Sequence, residues 1–158
     1  MQTRTGKIIS GILLFGAAIT IIVTLLWGTN ALGWRAWRLI EVENFIGAKL
    51  PDGARDVRFA TDNQKTRIVW LRFTLPAQTD LSDFLNQPGL DTELCAGFTP
   101  FPGANPAEAG MTWWTPQTAQ TYSGFYVIRE GKMVELLLDQ TDPANPIVYL
   151  RVYALGME

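Results

Sequence analysis

The sequence predicts an α+β protein: one N-terminal transmembrane helix followed by a small, mainly antiparallel β-sheet domain in the order β-β-α-loop-β-β-β. Three observations predict it. Ile8–Trp27 is a run of twenty residues without a charge, long enough at about 1.5 Å per residue to cross a hydrocarbon core of roughly 30 Å. Residues 66–75 and 121–155 place apolar side chains at alternate positions, the period of a strand with one buried face. Between them Thr79 or Asp80 offers an N-cap and Pro88-Gly89 a stop, which frames one short helix. The chain then divides into a cytoplasmic tail (1–7), the membrane helix (8–27), an interfacial stalk (28–49) and an extracytoplasmic domain (50–158).

The apolar run has two rivals to exclude. A soluble core helix would carry a polar stripe, and Ile8–Trp27 has none on any face. A signal peptide shares the positive start, Arg4 and Lys7, but its apolar region spans about 7–15 residues, and only Thr29-Asn30-Ala31 offers a weak cleavage site here. An uncleaved anchor is therefore the preferred reading. Orientation is less marked, because Arg35 and Arg38 beyond the span match Arg4 and Lys7 before it. The seven-residue tail is short enough to stay in the cytoplasm. Residues 41–158 hold nine Lys/Arg against fifteen Asp/Glu, an acidic balance that does not by itself decide export because the positive-inside rule counts cations. The N-terminus is expected inside and the domain outside.

Within the span, Gly16, Thr20 and Thr24 recur every four residues, so one side is small enough for a second helix to approach. Such residues are also common in membrane helices without a partner. Beyond it, Trp27, Trp34, Arg35, Trp37 and Arg38 are the residue types that favour the headgroup zone, indoles at the interface and cations reaching phosphate. Residues 34–48 fit an amphipathic helix with Trp34, Trp37, Phe45 and Ala48 on its apolar side. Membrane lipid is the expected contact, ahead of a protein partner.

The domain opens at the turn Leu50-Pro51-Asp52-Gly53. Strands are expected at 54–60 and 66–75, the second with Val69, Leu71, Phe73 and Leu75 on one face and Ile68, Trp70 and Arg72 on the other; Pro76 ends it. The helix through about Asn86 buries Leu81, Phe84 and Leu85. From Gly89 to Gln120 the chain is loop-like but rich in aromatics, including Phe98, Phe101, Trp113 and Trp114, which argues against disorder. Either Trp113 and Trp114 cover an open side of the sheet, the preferred reading, or they form an exposed binding ledge. Strands at 121–129 and 132–139 flank a Glu130-Gly131 turn, and 147–155 closes a meander. Val134, Leu136, Leu138, Val148, Leu150 and Val152 share the core face. Met133, Glu135, Leu137, Tyr149, Arg151 and Tyr153 share the other, too apolar for solvent and too charged for a core. The loop or a partner subunit would cover it.

Composition removes much chemistry. The chain has no His and one Cys, so His-based acid/base catalysis, imidazole metal sites, His-ligated haem, CxxC redox chemistry and intrachain disulfides are out of reach. Cys95 reads as a small buried hydrophobe rather than a reactive thiol. No phosphate-binding glycine loop is present. The close carboxylate pairs, Asp80 with Asp83 and Asp139 with Asp142, are better explained by a helix start and by turn chemistry. Asp139, Asp142 and Asn145 lack the spacing of a known Ca²⁺ loop. An acidic domain without a basic run disfavours nucleic acid. No catalytic residue, cofactor or metal is expected.

The stretches LPDGARDVRF, LRFTLPAQTDLSDFLNQPGL, TWWTP and DQTDPANPIVYLRV, which span roughly residues 50–153, resemble those of small bacterial envelope proteins of the membrane-anchored or lipoprotein type. The resemblance implies an envelope location and transfers no activity. This chain lacks the lipobox Cys of the lipoprotein type and must rely on its helix. The expected function is non-enzymatic: an accessory or stabilising subunit of a larger membrane complex, held to an integral-membrane protein partner through the helix and the domain. The alternative is a membrane-anchored domain that binds a small ligand or peptide with the 98–116 loop. Trp70, Trp113, Trp114, Tyr149 and Tyr153 are the expected contact residues for partner or ligand.

Overall fold

The computed structural model describes residues 38–62, 67–77, 79–103, 105 and 108–156. The chain falls into two units, Met1–Glu41 and Val42–Glu158. The expected membrane helix, its Gly16, Thr20 and Thr24 face and the interfacial Trp27, Trp34, Arg35 and Trp37 lie outside the described residues; Arg38 opens the first described helix, α1 (residues 38–46). Among the described residues no helix is long and apolar enough to cross a membrane.

The second unit is mostly β. Its strands are β1 (Arg55–Asp62), β2 (Ile68–Thr74), β3 (Cys95–Ala96), β4 (Tyr122–Arg129), β5 (Lys132–Asp139) and β6 (Ile147–Ala154), with a four-residue helix α2 (Ser82–Leu85) between β2 and β3. All pair antiparallel in one sheet of order β1-β2-β6-β5-β4-β3. The β1-β2 hairpin therefore docks on the last strand of the C-terminal meander, and residues far apart in sequence, such as Leu71 and Leu150, become neighbours.

Register sorts the side chains onto two faces. On the first, Phe59, Leu71, Leu150, Leu136 and Phe125 form one row across five strands, since each is the cross-strand partner of the next. Val69, Phe73, Val134, Leu138, Val148 and Val152 flank it and are buried. Val42, Ile46 and Ala48 cover this face together with Phe84 and Leu90, and Phe84 meets Phe73 edge-on at 5.6 Å. Each such side chain contributes about 1.5–3 kcal/mol of transfer free energy.

Two boundaries differ from expectation. Within residues 42–49, expected in the stalk, Val42, Ile46 and Ala48 are buried in the core of the β domain, while Phe45 is flanked by the Arg67 and Lys132 cations and its carbonyl accepts from Lys132 Nζ at 2.8 Å. The helix ends at Gly47, φ +80°, where Gly47 and Ala48 N–H both donate to the Glu43 carbonyl, a left-handed stop that glycine adopts without penalty. α2 is also shorter than its signals. Asp80 Oδ1 accepts from Ser82 N–H at 2.8 Å in a turn before the helix, and the Gln87 side chain exchanges two hydrogen bonds with the Lys49 backbone.

The Glu130-Gly131 turn matches expectation, with φ of +48° and +71°. Both central residues of this turn type need positive φ, which glutamate tolerates poorly and asparagine better. Glu130→Asn is expected to raise the thermal midpoint by a few degrees, about 0.5–1 kcal/mol. The 3.6 Å contact of Glu130 with Lys132 is exposed at the glutamate end and offsets little of that gain.

Candidate functional site

The second face is crossed by a largely irregular strap, described over residues 97–103, 105 and 108–121, and the two together make the candidate site. Register sets Trp70, Arg151, Glu135 and Tyr126 in one row of this face and Arg72, Tyr149, Leu137 and Gly124 in the next. The first row puts an Arg and a Glu side by side in the middle of a sheet. The strap supplies the cover. Trp114 lies edge-on to Tyr149, Phe101 and Trp113 with centroids 5.4, 5.4 and 5.9 Å away, and Trp70, Phe101, Trp114, Leu137 and Tyr149 form a second buried cluster. Thr115 Oγ1 and Tyr149 OH share a hydrogen bond at 3.2 Å. A 3₁₀ turn, Pro116–Thr118, then leads the strap back to β4.

A charged knot ties strap to sheet. Arg151 Nε donates to Glu135 Oε2 at 2.5 Å and its Nη1 to Glu108 Oε1 at 2.6 Å, while Trp70 Nε1 donates to the same Glu108 oxygen at 3.1 Å. The three charged side chains are only 10–13% exposed. Burial opposes the Arg151 charge, but hydrogen bonds and fields from Glu135 and then Glu108 outweigh it and hold its pKa above the usual value. Its guanidinium also sits 5.1 Å from the centre of the Phe101 ring. Beside the knot is a cavity of about 380 Å³, whose lining includes Phe101, Asn105, Glu108, Trp114, Pro116 and Gln117. Trp114 is 4% exposed, yet its Nε1 has no hydrogen-bond partner among the described residues.

The expected contact residues divide. Trp70, Trp114 and Tyr149 meet each other in the interior, so none presents its surface to a macromolecule while the strap is in place. Trp113 is half-buried at the edge of the cluster, and Tyr153 stands one row away between its cross-strand neighbours Ile68 and Met133, with Ile128 beyond Met133 in the same row. This row and Tyr126 lie toward the β4-β5 turn end. Tyr126 and Ile128 are 61% and 57% exposed.

Other acids behave as local structure. Asp139 Oδ1 accepts from Thr141 N–H, and Asp142 accepts from Ala144 N–H and Asn145 Nδ2, which holds the Asp142 carboxyl below its usual pKa, the Asn145 side chain contributing most. Asp56 is likewise lowered, by Arg72 first and Arg58 second. Cys95 departs from expectation: it is exposed, in a two-residue strand at the sheet edge.

Phe101, Glu108 and Glu135 with Arg151 were not among the expected site residues. Glu135 and Arg151 had a signal, being charges on a face that also carries Leu137 and Tyr149; Glu108 had none, since it comes from the irregular strap. Compared with known protein families, curated proteins and solved structures, the chain matches none.

Proposed function

We propose that the chain is a non-enzymatic, single-pass membrane protein with its N-terminus in the cytoplasm, and that its extracytoplasmic β domain serves as an accessory or stabilising subunit of a larger membrane complex. The observation that carries this reading is the uncharged run Ile8–Trp27 followed at once by Trp34, Arg35, Trp37 and Arg38, a span with an interfacial collar. Two features support the assignment to protein contacts. Gly16, Thr20 and Thr24 give the span a small-residue side that a partner helix can approach. Tyr126 and Ile128, on one face of β4, remain largely exposed even though Phe98 lies against Tyr126, and exposed apolar side chains side by side suit a protein contact.

The test of the helix face is Gly16→Leu with Thr20→Leu in the full chain. Membrane insertion, read by carbonate extraction, is expected to persist, because leucine suits the bilayer core. Co-purification of the native partner is expected to fall at least tenfold. Unchanged association in the doubly substituted chain removes that face from the account.

A second reading is favoured by the cavity: a membrane-anchored domain that binds a small ligand through residues 98–116. Its volume falls within the usual range for small-molecule sites.

A further inference from the structure

We propose that the free edge of β4 takes up a strand of the membrane partner: an extended segment of about five residues, apolar at alternate positions and carrying a Lys or Arg, which adds to the sheet beside Tyr126 and Ile128. The proposal rests on the accessory-subunit reading above and states how that partner is held.

The backbone is the first argument. β3 pairs only with Ser123 and Gly124 of β4, and the Gly97 N–H donates to the Tyr122 carbonyl. Backbone groups alternate in direction along an antiparallel strand, so Tyr126 and Ile128, in phase with Tyr122, also turn an N–H and a C=O away from β5. Among the described residues no strand lies beside them, because β3 begins only at Cys95. An edge left open in this way is a template for another strand. From Phe125 to Arg129 it offers roughly 17 Å at about 3.4 Å per residue, which sets the length of the segment.

The side chains point to the same place. Three large apolar side chains are more than half exposed among the described residues, Ile40, Tyr126 and Ile128, and two of them border this edge. Phe98 lies 5.8 Å from Tyr126 and Met133 is the cross-strand partner of Ile128, so apolar side chains on an added strand would find neighbours there. On the core face Val127 is only partly buried. The opposite edge, β1, is closed to the same use. A bulge between Arg55 and Arg58 interrupts its register, and Arg55, Asp56, Arg58 and Asp62 charge it, the usual means by which sheet edges are guarded.

Charge selects the occupant. Asp91 and Glu93 lead into β3, Glu130 follows β4, and all three are exposed. Arg129 and Lys132 stand 3.5 and 3.6 Å from Asp91 and Glu130, but each also donates to a backbone carbonyl, of Asp91 and of Phe45. Glu93 has no ion-pair partner among the described residues, so the rim of the edge is net acidic. A second copy of this chain would bring the same acids toward one another, which is unfavourable across a strand pair. A different chain with a Lys or Arg beside its apolar residues meets both the charge and the edge.

The experiment is hydrogen exchange read by mass spectrometry on the full chain, in the assembly extracted from its own membranes in a mild detergent and again after the chain is purified alone. Amides of residues 125–129 are expected to exchange at least tenfold more slowly in the assembly, while those of residues 57–61 on the β1 edge are unchanged. Ile128→Pro removes an outward N–H at an edge position, where proline is tolerated. With its fold verified by circular dichroism, it is expected to lower co-purification of the partner at least tenfold, and Ile128→Ala, which keeps the N–H, only severalfold. An assembly without added protection at 125–129, or one that a folded Ile128→Pro chain joins as well as wild type, overturns the edge assignment and leaves the accessory-subunit reading standing. Absence of any assembly overturns both. Protection that persists in the purified chain, with a dimer on native sizing, makes the occupant a second copy and overturns its assignment to a partner.

Discussion

Gly89→Ala is expected to cost the domain about 3 kcal/mol or more and to lower its thermal midpoint by roughly 10 °C. A Cβ at Gly89 would stand 2.1 Å from the Ile46 carbonyl oxygen and 2.9 Å from the Gly47 backbone. These are backbone atoms, so no side chain can swing away to relieve the overlap; either the end of α1 moves off the sheet or the 87–90 turn does. Both carry core residues, Ile46 on one side and Leu90 on the other. The Gly89 N–H bond to the Gly47 carbonyl, 3.2 Å, is lost with them. Gly156→Ala is the control, because a Cβ there meets nothing within 4 Å. Thermal unfolding followed by far-ultraviolet circular dichroism reads the comparison. Equal midpoints for the two variants would mean that α1 does not close against the 87–90 turn in solution.

Arg151→Leu is expected to be as damaging, about 3–5 kcal/mol, because it leaves Glu108 and Glu135 buried without a cation. The hydrophobic gain from leucine is far smaller than that penalty. Denaturant unfolding of wild type, Arg151→Leu and Arg151→Lys reads the loss, and the lysine variant, which keeps a cation beside both carboxylates, is expected to recover part of it. Equal losses for the two variants would place the energetic role of Arg151 in its packing over Phe101 rather than in its charge.

Strands were legible in the sequence because a half-buried sheet enforces a period of two. Val69, Leu71 and Phe73, and likewise Val134, Leu136 and Leu138, could alternate onto one face only as strands, and the Glu130-Gly131 turn set their neighbours in register. The helices were legible in kind and not in extent. Asp80 could have capped a longer α2 but closes a turn onto Ser82 instead, a choice made by local geometry. Residues 42–49 read as a continuation of the amphipathic stalk, since Val42 and Ile46 present the same helical spacing whether they face lipid or a sheet; only tertiary packing distinguishes the two. The strap was legible as a cover through its aromatics. The knot it carries was not, because Glu108 lies in irregular chain 43 residues from Arg151, and no periodicity links such positions. Trp70, Trp114 and Tyr149 looked like contact residues for the reason that makes them core residues here: large aromatic side chains serve either purpose, and burial alone decides.

Native size shows whether this chain works inside a membrane complex. The full-length protein is to be extracted from its own membranes in a mild detergent, separated by native sizing, and the fractions identified by mass spectrometry. The account expects a discrete assembly well above monomer size, with an integral-membrane protein present in fixed stoichiometry. A single species at monomer size, with no companion under conditions that preserve other complexes from the same membranes, would contradict it.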